Sequence, residues 1–215
     1  MIIDGAIFDM DGTLLDSMGF WKTATKNYMT GIGYTPAEDL DEVTKTMSLY
    51  QVACFCKEQY RMPEEIPGIM DGINRSVEHF YLYEVQAKPG VPEFLERLHR
   101  DGVKMCLATA TDLYLVEAAL KRLGLRRYFG KLFTCTDIGH GKDEPNIYNA
   151  ALRFLGTPRS TTWVFEDLLF ALKTAKAAGF RTAGVQDPAE NEPEEMKRLA
   201  DVYITSFLKP TGFGA

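Results

Sequence analysis

From Pro89 onward the chain alternates short apolar runs with stretches whose apolar residues recur at helical spacing, and no other feature restricts its fold as tightly. The runs are Val103–Ala108, Leu132–Cys135, Thr162–Phe165, Thr182–Val185 and Val202–Ile204. Between them, Phe94, Leu95 and Leu98 define a helix opened by Pro92. Leu113, Val116, Ala119, Leu120 and Leu123 define another, capped by Asp112 and closed by Gly124. A third starts at Pro145 and carries Ile147, Ala151, Phe154 and Leu155, and a fourth runs from about Leu168 to Ala178. Strands that are apolar throughout are buried on both faces, and repeated strand–helix units place helices on both faces of a parallel sheet. The expected fold is therefore α/β, with a doubly wound parallel sheet.

The same kind of run, Gly5-Ala6-Ile7-Phe8, opens the chain, but residues 17–85 then break the alternation. Phe20, Trp21, Ala24, Tyr28 and Met29 suit a helix that stops at Gly31-Ile32-Gly33. A second helix opens near Pro36 and carries Leu40, Val43 and Met47; a third holds Val52, Ala53, Phe55 and Cys56. A fourth begins between Ile66 and Met70 and runs through Ile73, Val77, Phe80, Tyr81 and Val85. None of this alternates with the period of a strand. It reads as a helical insertion in a core made of residues 1–16 and 86–215.

At 215 residues the chain is long enough for one sizeable domain with a small insert. A net charge of −6 argues against an extended nucleic-acid surface, which calls for a basic stripe. Cys54 and Cys56 have no second ligand pair nearby, and Cys106 and Cys135 sit in apolar runs. All four suit reduced thiols of a cytoplasmic protein. Asp4 breaks the first apolar stretch, so no signal peptide is expected, and no run reaches the length of a membrane span. The tail from Lys209 is expected to be poorly ordered.

A parallel sheet carries its chemistry beyond the carboxyl ends of its strands. The first run ends in Asp9-Met10-Asp11-Gly12, the second in Thr109-Ala110-Thr111, and Thr162–Phe165 in Glu166-Asp167. Lys142 follows Gly139-His140-Gly141 in a loop between the last two. Residues i and i+2 of an extended chain point the same way, so Asp9 and Asp11 can address one site. Paired carboxylates need a cation or a proton between them. Oxygen donors without nearby Cys or His favour Mg²⁺ over zinc, and a hydroxyl with an ammonium beside it suits a phosphoryl group. Each residue also has a plain reading. Thr109 could cap a strand end, Lys142 could be a solvated charge, and Glu166-Asp167 could favour a helix dipole. Their order and joint occurrence weigh against these.

Together these residues resemble the haloacid dehalogenase (HAD) superfamily, in the branch with a small α-helical cap inserted after the first motif. Asp9-Met10-Asp11-Gly12-Thr13-Leu14-Leu15-Asp16-Ser17 is similar to its first motif and Thr109 to its second. Lys142, Pro145 and Tyr148 are similar to the third, and Glu166-Asp167 with Ala175 and Ala178-Gly179 to the fourth. The resemblance implies a Rossmann-like core and a role for each residue. Asp9 would attack phosphorus to form an aspartyl-phosphate; Asp11 would protonate the leaving group and then activate water. Thr109, Ala110 and Lys142 would hold the phosphate, with Lys142 also keeping Asp9 ionised. Asp9, the Asp11 carbonyl and Asp167 would bind Mg²⁺, with Glu166 ligating directly or through water. Relatives often carry serine, glycine and alanine where Leu168, Ala171 and Thr174 stand, and proline where Asp143 stands.

Asp11 favours phosphoryl transfer over dehalogenation, which has no alkoxide to protonate. The expected enzyme is a phosphatase of a small phosphorylated metabolite, a sugar phosphate above all, as a monomer or weak homodimer with no nucleic-acid or membrane partner. The alternative is a β-phosphoglucomutase-like transferase. That pattern carries a histidine twelve residues after the nucleophile, where this chain has Trp21. A non-catalytic phosphate-binding relative is the remaining alternative, and the presence of both Asp9 and Asp11 counts against it; a receiver-like phospho-acceptor would be shorter, without the helical insertion, and would carry its acceptor on a later strand. Candidate specificity residues in the cap are Trp21, Lys22, Lys45 and Ser48, with hinges near 16–18 and 86–90.

Overall fold

The structure, a computed structural model, describes residues 2–44, 47–210 and 212–213. Six parallel strands form one sheet: β1 (Gly5–Phe8), β2 (Lys104–Thr109), β3 (Leu132–Thr134), β4 (Thr162–Glu166), β5 (Arg181–Val185) and β6 (Val202–Ile204). Their order is β3-β2-β1-β4-β5-β6, so the chain winds outward from β1 to one edge and then returns to β1's other side. The switch point lies between β1 and β4, where diverging connections leave a crevice at the strand ends.

Alternation along the strands sorts the apolar residues onto the two faces. Ala6, Phe8, Met105, Leu107, Trp163 and Phe165 join one core, and Ile7, Cys106, Ala108 and Val164 the other. The first core takes α5 (Val91–Arg100) and α6 (Leu113–Arg122); the second takes α8 (Asn146–Leu155). Helices α9 (Leu169–Ala177) and α10 (Pro193–Leu199) pack together through Leu169, Leu172 and Met196.

Between β1 and α5 the chain is helical, as expected of an inserted cap: α1 (Met18–Gly31), α2 (Leu40–Thr44), α3 (Leu49–Tyr60) and α4 (Ile66–His79). α4 runs on into a wide turn at Phe80–Glu84, where the Val85 N–H donates to the Phe80 carbonyl at 2.8 Å. The outgoing and returning chains run side by side: the Asp16 N–H donates to the Gln86 carbonyl and the Lys88 N–H to the Leu14 carbonyl. These crossings join residues 14–16 to residues 86–88.

Several local expectations change. α2 is a single short helix that starts at Leu40, not Pro36, and leaves Val43 exposed. Cys135 does not extend β3; it begins the short helix α7 (Cys135–Ile138), because the Thr134 hydroxyl accepts from the Asp137 N–H. Asp112 stands at the N-cap of α6 without capping it, since its carboxylate accepts from Asn74 Nδ2 of α4 and from Thr136 Oγ1 at 2.8 Å. In the C-terminal segment Phe213 packs edge-on against Trp163 and Phe94, so that part of the tail is docked. All four cysteines are free thiols. No helix among the described residues is long and apolar enough to cross a membrane.

Candidate active site

Register explains which groups meet. Phe8 is level with Leu107 on β2 and Phe165 on β4, so Asp9 emerges beside Glu166 at the switch point, one residue short of Thr109's level. The Asp9 N–H donates to the Phe165 carbonyl at 3.0 Å, extending the ladder to the rim. There the chain turns at Gly12, whose φ is +76°. A Cβ at Gly12 would come within 2.1 Å of Asp167 Oδ2, so only glycine lets the turn lie against that carboxylate.

Lys142, 7% exposed, reaches in from the loop before α8. Its ammonium binds Asp9 Oδ1 and Glu166 Oε1, the latter at 2.6 Å. The Tyr148 hydroxyl of α8 donates to the same Glu166 oxygen at 2.8 Å, and Thr13 Oγ1 donates to Asp167 Oδ1 at 3.0 Å. The other oxygens, Glu166 Oε2 and Asp167 Oδ2, are buried with no hydrogen-bond partner. Such atoms are costly unless something else meets them. Ligand atoms of Asp9, Glu166 and Asp167 all lie within 4.8 Å of one another. Three buried carboxylates against one ammonium leave an excess negative charge, and every donor is oxygen. Both facts fit Mg²⁺.

Electrostatics agree. Burial pushes the Asp167 carboxyl well above the usual carboxylate range, with Asp9 and Glu166 adding to it. Glu166 is raised by burial despite the opposing pull of Lys142. Burial alone would lower Lys142, but the Asp9 and Glu166 carboxylates hold it above the ordinary lysine range, so its charge is secure. Asp11, also raised by burial and by Asp9, is held by hydroxyls instead of a cation. Oδ1 accepts from Ser17 Oγ at 2.6 Å and from the Tyr81 hydroxyl, and Oδ2 accepts from Thr111 Oγ1 at 2.6 Å.

A cavity of about 300 Å³ opens above these groups, lined by Asp9, Asp11, Thr109, Ala110, Lys142 and Glu166 on the sheet side. Trp21, Lys22, Thr25, Thr44, Ser48 and Gln51 line its opposite wall. Thr109 is buried, and its hydroxyl oxygen accepts from the Thr111 N–H at 3.1 Å. Asp167 is not among the lining residues; it sits behind Glu166 and Gly12.

Residues 6–185 match the haloacid dehalogenase-like hydrolases. The chain belongs to that family. Hexitol phosphatase B of Escherichia coli (strain K12) is 28% identical over 210 residues, covering 96% of this chain and 93% of that protein. The phosphorylated carbohydrates phosphatase of Thermotoga maritima is 26% identical, covering 97% of this chain and 95% of its own. Among solved structures, CbbY from Rhodobacter sphaeroides in complex with phosphate superposes with a TM-score of 0.82 at 25% identity, covering 97% of this chain and 96% of that one. This HAD-like chain is thus an enzyme, a hydrolase of that family.

Of the HAD-like motif residues, the structure gathers Asp9, Asp11, Thr109, Lys142, Glu166 and Asp167 at one rim. The cap candidates fare differently. Trp21 and Lys22 line the cavity, but the Trp21 indole N–H is spent on the Tyr81 hydroxyl. Ser48 lines it too while forming a capping box with Gln51 at the start of α3. Lys45 lies outside the described residues. Asp143 is exposed beside the cavity, and its carboxylate makes no ion pair with Lys142. At Leu168, where relatives often carry serine, the end of α9 is served from elsewhere: the Leu169 N–H donates to Glu190 Oε2 at 2.7 Å. Sequence reading missed Tyr81, Glu190 and the Lys88–Asp187 pair, 2.8 Å apart, of which both members act on Asp167. None of them has a motif. Tyr81 reads as one more apolar helix residue, and only its burial against Asp11 reveals its polar end.

Proposed function

We propose that this enzyme is a Mg²⁺-dependent phosphatase of a small phosphorylated metabolite, a sugar or sugar-alcohol phosphate, acting through an aspartyl-phosphate on Asp9. The observation that carries the reading is the surroundings of Asp9: Lys142 on one oxygen, Glu166 and Asp167 with unpartnered oxygens alongside, and Asp11 two residues on. The names of the relatives support the substrate class.

In this reading the phosphate enters the cavity and its oxygens are held by Lys142, the Thr109 hydroxyl and the backbone at Ala110. An oxygen of Asp9 attacks phosphorus as the bond to the leaving oxygen breaks, and Asp11 gives that oxygen its proton. Asp11 then takes a proton from the water that opens the aspartyl-phosphate. Bound by Asp9, the Asp11 carbonyl, Asp167 and Glu166, Mg²⁺ would supply the positive charge that lets two anions approach. Residues 17–85 would form a cap whose closure excludes bulk water. Four free thiols, three of them buried, suit a cytoplasmic setting. Trp21 occupies the position of the mutase histidine and is engaged with Tyr81, which favours transfer to water over transfer to a sugar.

A phosphate-release screen over hexitol phosphates, hexose phosphates, nucleotides and phosphoglycolate, run with Mg²⁺ or EDTA, tests this. Release by the wild type should stop with EDTA and fall at least a thousandfold in Asp9→Asn. Release that ignores either change overturns the mechanism. Conversion of β-glucose 1-phosphate to glucose 6-phosphate without free phosphate would replace hydrolysis with the mutase.

A further inference from the structure

We propose that Tyr81, oriented by Trp21, is a positioning residue that fixes which oxygen of Asp11 serves the leaving group. The inference rests on the reading of Asp11 as the acid. Tyr81 belongs to the wide turn ending α4, outside every motif, and its ring is fully buried. The indole N–H of Trp21 can only donate, and it donates to the Tyr81 oxygen. The single Tyr81 proton is therefore turned away from Trp21 and toward Asp11 Oδ1. Ser17 Oγ donates to that same oxygen at 2.6 Å. Two O–H donors fill both lone pairs of Oδ1 and remove it from the reaction.

Oδ2 is left. It accepts only from Thr111 Oγ1 among the described residues, and a threonine hydroxyl can rotate from donor to acceptor when the carboxyl carries a proton. Without the Tyr81 hydroxyl, Oδ1 keeps a free lone pair and the carboxyl can turn or share its proton between two oxygens. The two donors come from opposite sides of the cap crossing, Ser17 from the outgoing chain and Tyr81 from the far end of the insertion. Asp11 is thus aimed only when the end of α4 sits against the core.

The test exploits the leaving group. In the first step an alkyl phosphate needs the acid, whereas p-nitrophenyl phosphate releases a stable phenolate and does not. The second step, in which Asp11 takes the water's proton, is common to both, so the comparison is made on kcat/KM, which reports only steps up to release of the alcohol or phenolate. Asp11→Asn, Tyr81→Phe and Trp21→Phe are assayed on p-nitrophenyl phosphate and on the best alkyl substrate of the screen, with melting curves confirming the fold. Tyr81→Phe should lower kcat/KM on the alkyl phosphate by about tenfold, the scale of one hydrogen bond to a charged group, with kcat/KM on the aryl phosphate nearly unchanged. Trp21→Phe should follow with a smaller loss of the same selectivity. If Asp11→Asn discriminates between the substrates but Tyr81→Phe slows both equally or neither, the positioning role is wrong and the reading of Asp11 stands. If Asp11→Asn itself does not discriminate, both fall.

Discussion

At the scale of single residues, the site is governed by what each buried polar atom can pair with. Lys142 satisfies one oxygen each of Asp9 and Glu166, and the oxygens it cannot reach are those that fit a cation. At Gly12 a positive φ and the proximity of Asp167 constrain the chain together. Gly12→Ala should cost about 1 kcal/mol of stability from backbone strain alone, and more from displacing Asp167. A denaturant midpoint reads the first effect, and a rightward shift in the Mg²⁺ dependence of phosphate release reads the second. An unchanged Mg²⁺ dependence would show that Asp167 does not need the close turn.

Among the elements, helix ends and strand edges repeatedly draw on distant residues. α9 begins at apolar Leu168 and takes Glu190 as its N-terminal acceptor, an acid placed where the helix dipole favours it. β5 and the chain entering β6 are tied by Asp201. Its Oδ2 accepts from the Thr182 N–H at 2.8 Å and from Thr182 Oγ1 at 3.0 Å, while Oδ1 meets Lys176 at 2.8 Å. Partial burial works against the charge, but Lys176 and the two Thr182 donors prevail and hold this carboxyl below its usual range. A carboxyl depressed in the folded state stabilises the fold above its unfolded pKa, near 4, and loses that contribution as pH falls through the folded value. Asp201→Asn should therefore lower stability at pH 7 and flatten its decline below about pH 4. Chemical denaturation at a series of pH values measures both. Parallel curves for the two proteins would contradict the assignment.

At the scale of the whole molecule, insertion and sheet form one closed object around the cavity. α4 meets the core through Asn74 on Asp112, α2 through Asn191 Nδ2 donating to Glu42 at 3.4 Å, and the end of the insertion through Tyr81 on Asp11. Mg²⁺ that binds only the folded state should raise its stability by about 2.7 kcal/mol at a hundred times its Kd. A thermal shift on adding Mg²⁺, lost in Asp167→Asn, measures this without turnover. No shift in the wild type would place the metal elsewhere.

The sequence by itself determined the parallel sheet, the helical insertion and the six polar residues at the rim. Buried parallel strands are uniformly apolar, and their polar continuations are conspicuous against that background. Only the tertiary structure decided the pairings. Asp112 left its helix for Asn74, Glu190 served the start of a helix twenty-one residues behind it, and Trp21 became the support of Tyr81. The reason is physical. Periodicity reports which side of an element is dry, but a hydrogen bond between residues far apart in sequence depends on how whole elements are placed. For Asp11, its three hydroxyl partners at positions 17, 81 and 111 meet only where the cap comes to rest on the strand ends.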